Sequence, residues 1–204
     1  MTPRPYRSPA RAEAAEQTRS RIIAAAAVVL RAKGAGGFSL ESVAKAAGVA
    51  RLTVYNQFGS RRALLEAVFD DRAASGGLQR LPQAMANPDP RAGLRQLVEV
   101  FCGFWAFDQA SLSGLHAAVS GDAVFEASLR ERNERRRQAI SVLVGRLADR
   151  EAIGPYAAKD LTDLIFLLTS FHSYAVLTAD RAPGAACALI QQAVEDALGR
   201  SVAR

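Results

Sequence analysis

Apolar side chains recur at intervals of three and four residues along most of the chain, and no useful length of it alternates apolar with polar residues. The first predicted helix covers residues 18–33 and ends at Gly34. Its apolar face consists of Ile23, Ala26, Ala27 and Leu30. The pattern predicts about nine helices in total and therefore an all-α fold.

Two short helices follow, and a capping residue introduces the first. Ser39 can cap a helix over residues 40–47, where Glu41 suits the positive end of the helix dipole. The capping box is expected to be incomplete, because Ser42 stands where a Glu or Gln would reach back to the cap.

The spacing of three residues in this region predicts a helix-turn-helix. Ala44 is small enough to let two helices touch, and Gly48 allows a tight turn. Val54 can fill the core beneath the second helix, which is predicted over residues 51–57. The outer face of that second helix is then free to enter the major groove of DNA.

Glycine, proline and serine residues set the later boundaries. Ser60 can cap a helix that ends near Arg72, and Ser75-Gly76-Gly77 places a domain boundary near residue 74. A fifth helix is predicted to start at Pro90, with Asp89 as its N-cap. Four more are predicted over residues 111–119, 122–150, 160–178 and 183–198. The predicted organisation is a flexible basic arm (residues 1–16), a helix-turn-helix domain (17–73) and a larger helical domain (74–204).

Positive charge is concentrated near the start of the chain. Residues 1–72 contain 12 Lys and Arg against 6 Asp and Glu, whereas the other 132 residues contain 14 of each kind. Such one-sided charge is typical of a domain that binds nucleic acid phosphates. The prolines and arginines of residues 1–16 predict a flexible arm, either one that reaches a minor groove or a disordered tail.

Composition excludes several other classes of protein. Polar residues interrupt the longest apolar stretch, residues 161–177, and no signal peptide is visible, so we expect a cytoplasmic protein without a membrane span. Cys102 and Cys187 fit neither a disulfide framework nor a zinc site, and reduced thiols are expected. Because no catalytic triad, phosphate-binding loop or metal-ligand spacing is present, the sequence predicts neither an enzyme nor a cofactor.

Residues 18–69 resemble the DNA-binding domain of the TetR family of regulators. The resemblance rests on the run from Phe38 to Val49, and on Thr53-Val54-Tyr55, Phe58, Ser60-Arg61 and Leu64-Leu65. It implies a three-helix DNA-binding domain that a fourth helix joins to a helical domain for ligand binding and dimerisation.

The resemblance also implies which side chains contact DNA: Ser39, Arg51, Thr53, Tyr55, Asn56, Gln57 and Arg61. Ser39 and Arg61 are expected at phosphates, and Tyr55, Asn56 and Gln57 near the backbone or neighbouring bases. Arg51 and Thr53 are expected at base edges, where an arginine fork matches O6 and N7 of guanine. Phe58 is expected in the core rather than at DNA.

Three positions depart from the family pattern. Gln57 stands where histidine is common, and Arg61 where lysine is usual; both keep hydrogen-bonding capacity or charge. Ala50 stands where a capping Ser or Thr is usual, which removes about 1 kcal/mol from the stability of the recognition helix.

The segments that the family uses for an effector pocket are rich in aromatic residues. The candidates are Phe101, Phe104, Trp105, His116, Phe125, Arg132, Arg136, Phe166, Phe171 and Tyr174. Aromatic residues at helical spacing also build ordinary cores, so both interpretations stay open. The two arginines interrupt an apolar stripe, either as structural ion pairs with an acidic residue such as Asp108 or Asp163, or as contacts to an anionic group of a ligand.

The resemblance further implies a homodimer that pairs through residues 160–178 and 183–198. Its two recognition helices would enter successive major grooves of double-stranded DNA, about 34 Å apart, at a palindromic operator. The expected mechanism is repression that an unknown small-molecule effector relieves. The alternatives are an architectural DNA-binding protein without an effector, and an all-helical enzyme.

Overall fold

The computed structural model describes residues 9–118 and 122–202. All regular secondary structure in these two ranges is helical, as the hydrophobic pattern predicts, but they contain eleven α-helices rather than nine. The helices are α1 (Pro9–Lys33), α2 (Leu40–Ala47), α3 (Arg51–Phe58), α4 (Arg61–Ser75), α5 (Leu81–Ala86), α6 (Pro90–Phe107), α7 (Gln109–Ala118), α8 (Ala123–Glu151), α9 (Pro155–Leu168), α10 (Phe171–Leu177) and α11 (Pro183–Val202). A short 3₁₀-helix, Leu78–Arg80, precedes α5.

The chain divides into two compact units. The first contains α1 to α3, α4 as far as Asp71, and α7 from Ala110 onward. Its core is built where α2 packs against α1 and α3, around Ile22, Val43 and Val54, none of which is exposed to solvent. The apolar stripes of these short helices can be buried only against one another, so the helix-turn-helix depends on α1 for its stability.

Helix α1 is longer than the sequence pattern predicts. Residues 9–16 belong to it rather than to an irregular arm, so that part of the prediction was wrong. Alanine and glutamate in this stretch are strong helix formers, and a proline such as Pro9 is tolerated in the first turn of a helix. Residues 1–8 of the predicted arm lie outside the described residues.

The second unit contains the end of α4 from Arg72, α5, α6, Gln109 and helices α8 to α11. Helix α6 lies in its centre and packs against α5, α8, α10 and α11. A Cβ atom on Gly93 would lie 2.8 Å from the carbonyl oxygen of Ala84, so only glycine permits α5 to approach α6 this closely. The 3₁₀-helix and α5 were missing from the prediction, because Leu78–Ala86 is too short to show a helical period.

The helix predicted over residues 160–178 is two helices. Helix α9 ends at Leu168, and the Ser170 side chain accepts a hydrogen bond from the Ser173 N–H at 3.1 Å to cap α10. Apolar residues continue through the break, so the periodicity gave no indication of it. None of the described helices is long and apolar enough to cross a membrane.

Candidate functional sites

A reciprocal pair of serine hydrogen bonds begins α2. Ser39 Oγ accepts from the Ser42 N–H at 3.0 Å, and Ser42 Oγ accepts from the Ser39 N–H at 2.9 Å. The prediction of Ser39 as the N-cap is confirmed, but the prediction of an incomplete capping box was wrong. A serine at the third position is short, yet its hydroxyl still reaches the cap backbone.

The turn between α2 and α3 is made by Gly48. Its φ of 64° and ψ of 37° lie in the left-handed region, which side chains with a Cβ disfavour. The Val49 N–H donates to the Ala44 carbonyl at 3.0 Å and closes the end of α2. Ala44 and Val54 are buried, as the spacing predicts, so the two helices are held in a fixed relation.

Helix α3 presents a polar outer face. Arg51, Tyr55 and Asn56 are exposed, and Thr53 and Gln57 are half-buried. Phe58 is buried, which confirms the prediction that it belongs to the core. These five outward residues therefore occupy the surface that a recognition helix offers to base edges and phosphates.

Leu52 is an exposed recognition-helix residue that sequence reasoning missed. Its side chain is 66% exposed although it is large and apolar. Apolar side chains read thymine by contact with its methyl group, and Leu52 lies beside Arg51 at the start of α3. A leucine within a helical pattern is usually assigned to the core, so only the structure distinguishes it.

The start of α3 lacks a side-chain cap. Ala50 has an extended backbone conformation (φ −68°, ψ 147°), which suits a capping serine, but no side chain accepts from the first turn. We expect Ala50→Ser to raise the free energy of unfolding by about 1 kcal/mol, measured by urea denaturation. Ala46→Ser adds the same hydroxyl to an exposed position inside α2 and should slightly lower stability. Equal effects of the two substitutions would contradict the capping argument.

Arg19 of α1 holds the other end of the recognition helix. Its Nη1 donates to the Gln57 carbonyl at 3.0 Å, and its guanidinium lies 4.4 Å from the centre of the Phe58 ring. A cation at a helix C-terminus is favourable because the free carbonyls there carry partial negative charge. The contact spans 38 positions in sequence, and no local pattern could have indicated it.

Arg61, predicted at a phosphate, forms hydrogen bonds within the unit. Its Nε donates to the Phe38 carbonyl at 3.2 Å, and its Nη2 to the Ala35 carbonyl at 3.5 Å. The guanidinium also lies 5.5 Å from the centre of the Phe38 ring. Arg61 therefore ties the start of α4 to the segment before α2, and a phosphate contact from it stays a prediction.

His116, predicted in the effector pocket, belongs to the first unit, whereas the other candidates belong to the second. Its Nδ1 lies 2.8 Å from the Leu112 carbonyl, so the hydrogen is on Nδ1. Burial lowers the pKa of this imidazole below its ordinary value of 6.5, more than the carbonyl contact raises it.

The lowered pKa of His116 predicts a loss of stability in acid. As the pH falls below 6.5, the histidine of the unfolded chain takes up a proton before that of the folded chain does. The free energy of unfolding should therefore fall more steeply between pH 7 and pH 5 in the wild type than in His116→Gln. Parallel curves from urea denaturation at each pH would contradict this.

The second unit contains an aromatic cluster around Trp105. The centre of its ring system lies 4.3 Å from that of Phe104, 5.4 Å from that of Phe171 and 6.3 Å from that of Phe101. Its indole N–H donates to the Thr169 carbonyl at 2.9 Å, at the break between α9 and α10. Four of the predicted pocket residues thus lie together, which we call the Trp105 cluster.

Arg136 of α8 borders this cluster and is only 5% exposed. Its Nη1 donates to the Phe166 carbonyl at 3.0 Å and to Thr169 Oγ1 at 2.9 Å, and its Nη2 to Asn133 Oδ1 at 3.3 Å. The guanidinium lies 4.2 Å from the centre of the Phe166 ring and 5.6 Å from that of Phe101.

The acidic residues considered as partners of Arg136 bind other arginines. Asp108 forms an ion pair with Arg72 at 3.1 Å, and Asp163 forms one with Arg137. Of the two alternatives left open for Arg136, the structural ion pair is therefore not found: Arg136 has no carboxylate partner among the described residues.

Burial, and to a lesser extent the neighbouring charge of Arg137, lowers the pKa of Arg136 to about 10. The side chain is still positively charged at neutral pH. Of the remaining candidates, Arg132 is half-buried one turn earlier in α8, and Phe125 and Tyr174 are fully buried. The Tyr174 hydroxyl has no hydrogen-bond partner in the described part of the chain.

Comparison with known proteins agrees with this architecture, which is that of a helix-turn-helix DNA-binding protein with a second helical unit. Residues 22–68 match the family described as bacterial regulatory proteins, tetR family. The HTH-type transcriptional regulator CymR of Pseudomonas putida is 31% identical over 164 residues, which cover 76% of this chain and 77% of that protein. The chain therefore belongs to the TetR family of transcriptional regulators, and it is not an enzyme.

Solved structures of low sequence identity share the fold. A TetR-like transcriptional regulator from Rhodococcus sp. RHA1 aligns with a TM-score of 0.69 at 19% identity, over 89% of this chain and 96% of that one. The transcriptional regulator FadR from Bacillus subtilis, in complex with stearoyl-CoA, aligns with a TM-score of 0.69 at 15% identity, over 86% of this chain and 96% of that one.

Proposed function

We propose that this protein is a cytoplasmic repressor that binds a palindromic operator as a homodimer and leaves it when a small molecule binds. The observation on which the proposal depends is the polar outer face of α3, held by a capped and closely packed helix-turn-helix. Arg51 lies at the first position of α3 and is exposed, so it can reach guanine. The remaining contacts are assigned to Ser39, Thr53, Tyr55, Asn56, Gln57 and Arg61.

The charge distribution supports DNA as the partner. All of the net charge of +6 arises from residues 1–72, which contain the helix-turn-helix. Each phosphate that Lys or Arg neutralises releases condensed counterions, so affinity should fall steeply with salt. Readout by α3 then adds specificity to this sequence-independent attraction.

Exposed apolar residues support a dimer through the last helices. Leu167 of α9, Val176 of α10 and Leu189 of α11 are all exposed although they are large and apolar. Their elements fall within the predicted dimerisation segments, residues 160–178 and 183–198. A two-fold axis through these segments would give the operator its palindromic symmetry.

The effector is assigned to the domain that follows residue 74. FadR, which shares the fold, was solved with stearoyl-CoA, and this chain has the Trp105 cluster and the buried Arg136 in its second unit. A small molecule that prefers the conformation unsuited to DNA would shift the population away from the operator-bound state. The size of the shift equals the difference in the binding free energies of the effector for the two states.

Selection of bound fragments from genomic DNA tests this proposal. Purified wild-type protein and the Arg51→Ala variant are each incubated with sheared DNA at about 150 mM salt, and the bound fragments are sequenced. We expect one palindromic site to be enriched by the wild type and not by the variant. Uniform binding to all fragments that does not depend on Arg51 would contradict specific regulation and favour an architectural DNA-binding protein.

A further inference from the structure

Arg136 is a buried charge whose hydrogen-bond partners among the described residues are all neutral. The three acceptors are the Phe166 carbonyl, Thr169 Oγ1 and Asn133 Oδ1. The carbonyl and the hydroxyl lie at the C-terminal end of α9, where the helix dipole compensates a positive charge in part. A buried guanidinium is nevertheless costly unless an anion pairs with it, and none of these three acceptors is charged.

The Arg136 guanidinium has hydrogen-bonding capacity that the described residues leave unused. Nη1 uses both of its hydrogens, and Nη2 forms one hydrogen bond. The Nε–H is buried and has no hydrogen-bond partner in the part of the chain that the structure describes. Nε and Nη2 lie on the same edge of the guanidinium, which is one of the edges that a carboxylate binds through two parallel hydrogen bonds.

The surroundings of Arg136 favour a particular class of anion. The rings of Phe101 and Phe166 lie near the guanidinium. Thr169 connects Arg136 to Trp105, because its hydroxyl accepts a hydrogen bond from Arg136 and its carbonyl accepts one from the indole N–H. A planar monoanion with an apolar body would match this arrangement, since its charged group suits one guanidinium edge and its body suits the aromatic rings.

We propose that the effector of this regulator is a small organic carboxylate with an apolar body, and that Arg136 binds its carboxylate group. The proposal rests on the proposed function, since it specifies the ligand of the same helical domain. Arg136 also holds the Phe166 carbonyl and Thr169 Oγ1, so a ligand there acts directly on the break between α9 and α10.

The test uses Trp105 as its probe, because it is the only tryptophan in the chain. Its fluorescence is followed during titration with phenylacetate and octanoate, and with the matched neutral compounds phenylacetamide and octanamide. Charge-assisted hydrogen bonds should give at least one carboxylate a Kd about tenfold or more below that of its amide. Equal affinities, or tighter binding of the amides, would overturn the proposal.

Variants locate the preference at Arg136. Arg136→Gln should abolish the difference between carboxylate and amide, whereas Arg137→Gln should keep it. Arg137 is the matched control because it lies next to Arg136 and over the same Phe166 ring, yet it already pairs with Asp163. Circular dichroism verifies folding; if Arg136→Gln does not fold, Arg136→Lys, which keeps the charge without the fork, should weaken carboxylate binding. A folded Arg136 variant with an unchanged preference overturns the assignment.

The outcomes separate this proposal from the repressor proposal. If the wild type enriches one operator but none of the four compounds changes Trp105 fluorescence or the melting temperature, the carboxylate proposal is wrong and the repressor proposal stands. If a carboxylate binds through Arg136 but no DNA site is enriched, the repressor proposal fails instead.

Discussion

Arg51→Ala is expected to weaken binding to the enriched operator by about 1–3 kcal/mol for each subunit, and twice that for a dimer on two half-sites. The reason is the loss of the proposed bidentate contact to guanine. Arg51 is the first residue of α3, and its side chain is exposed. Fluorescence anisotropy with labelled operator measures the change. Because the proposal places Arg51 at a base edge, its loss should also lower the ratio of operator affinity to scrambled-DNA affinity.

Lys45→Ala is the matched control for this prediction. Lys45 is an exposed basic residue in the last turn of α2, outside the recognition helix. Loss of a phosphate contact weakens binding to all sequences alike, so the operator preference should persist in this variant. An Arg51→Ala protein that loses affinity for operator and scrambled DNA equally would show that Arg51 only neutralises phosphate.

Asp108→Ala should lower the free energy of unfolding by about 3–5 kcal/mol. Asp108 and Arg72 form an ion pair at 3.1 Å, and their side chains are only 5% and 15% exposed. Removing the carboxylate leaves a largely buried arginine without that compensating charge. The resulting loss of stability is larger than the net contribution of the intact ion pair. Urea denaturation followed by circular dichroism measures the effect.

Glu126→Ala provides the contrast for Asp108→Ala. Glu126 pairs with Arg130 at 2.9 Å, but these side chains are 57% and 66% exposed. Water screens such a pair, so its loss should change stability by about 0.5 kcal/mol or less. If the two substitutions have similar effects, burial does not determine the strength of the Arg72–Asp108 pair.

The helix-turn-helix could be predicted closely because its boundaries depend on neighbouring residues. Ser39 and Gly48 act through their own backbone and the next few residues, so α2 was predicted with the bounds that the structure has. The reciprocal cap from Ser42 was missed, since the expected pattern requires a longer side chain there.

Features that depend on distant contacts could not be predicted. The end of α9 is stabilised by Arg136 and Trp105, which reach Phe166 and Thr169 from α8 and α6. No periodic pattern in the sequence indicates those contacts. Similarly, the sequence marked Arg136 as a buried charge, but only the structure shows that Asp108 and Asp163 bind other arginines. The aromatic candidates were found by composition, and four of them lie together around Trp105.

Hydroxyl-radical footprinting on the enriched operator tests the central claim most directly. A dimer that places two recognition helices in successive major grooves should protect two patches related by two-fold symmetry, about 34 Å or one helical turn apart. Both patches should disappear with Arg51→Ala at the same protein concentration. A single protected patch, or uniform weak protection along the fragment, would contradict sequence-specific binding by a two-fold dimer.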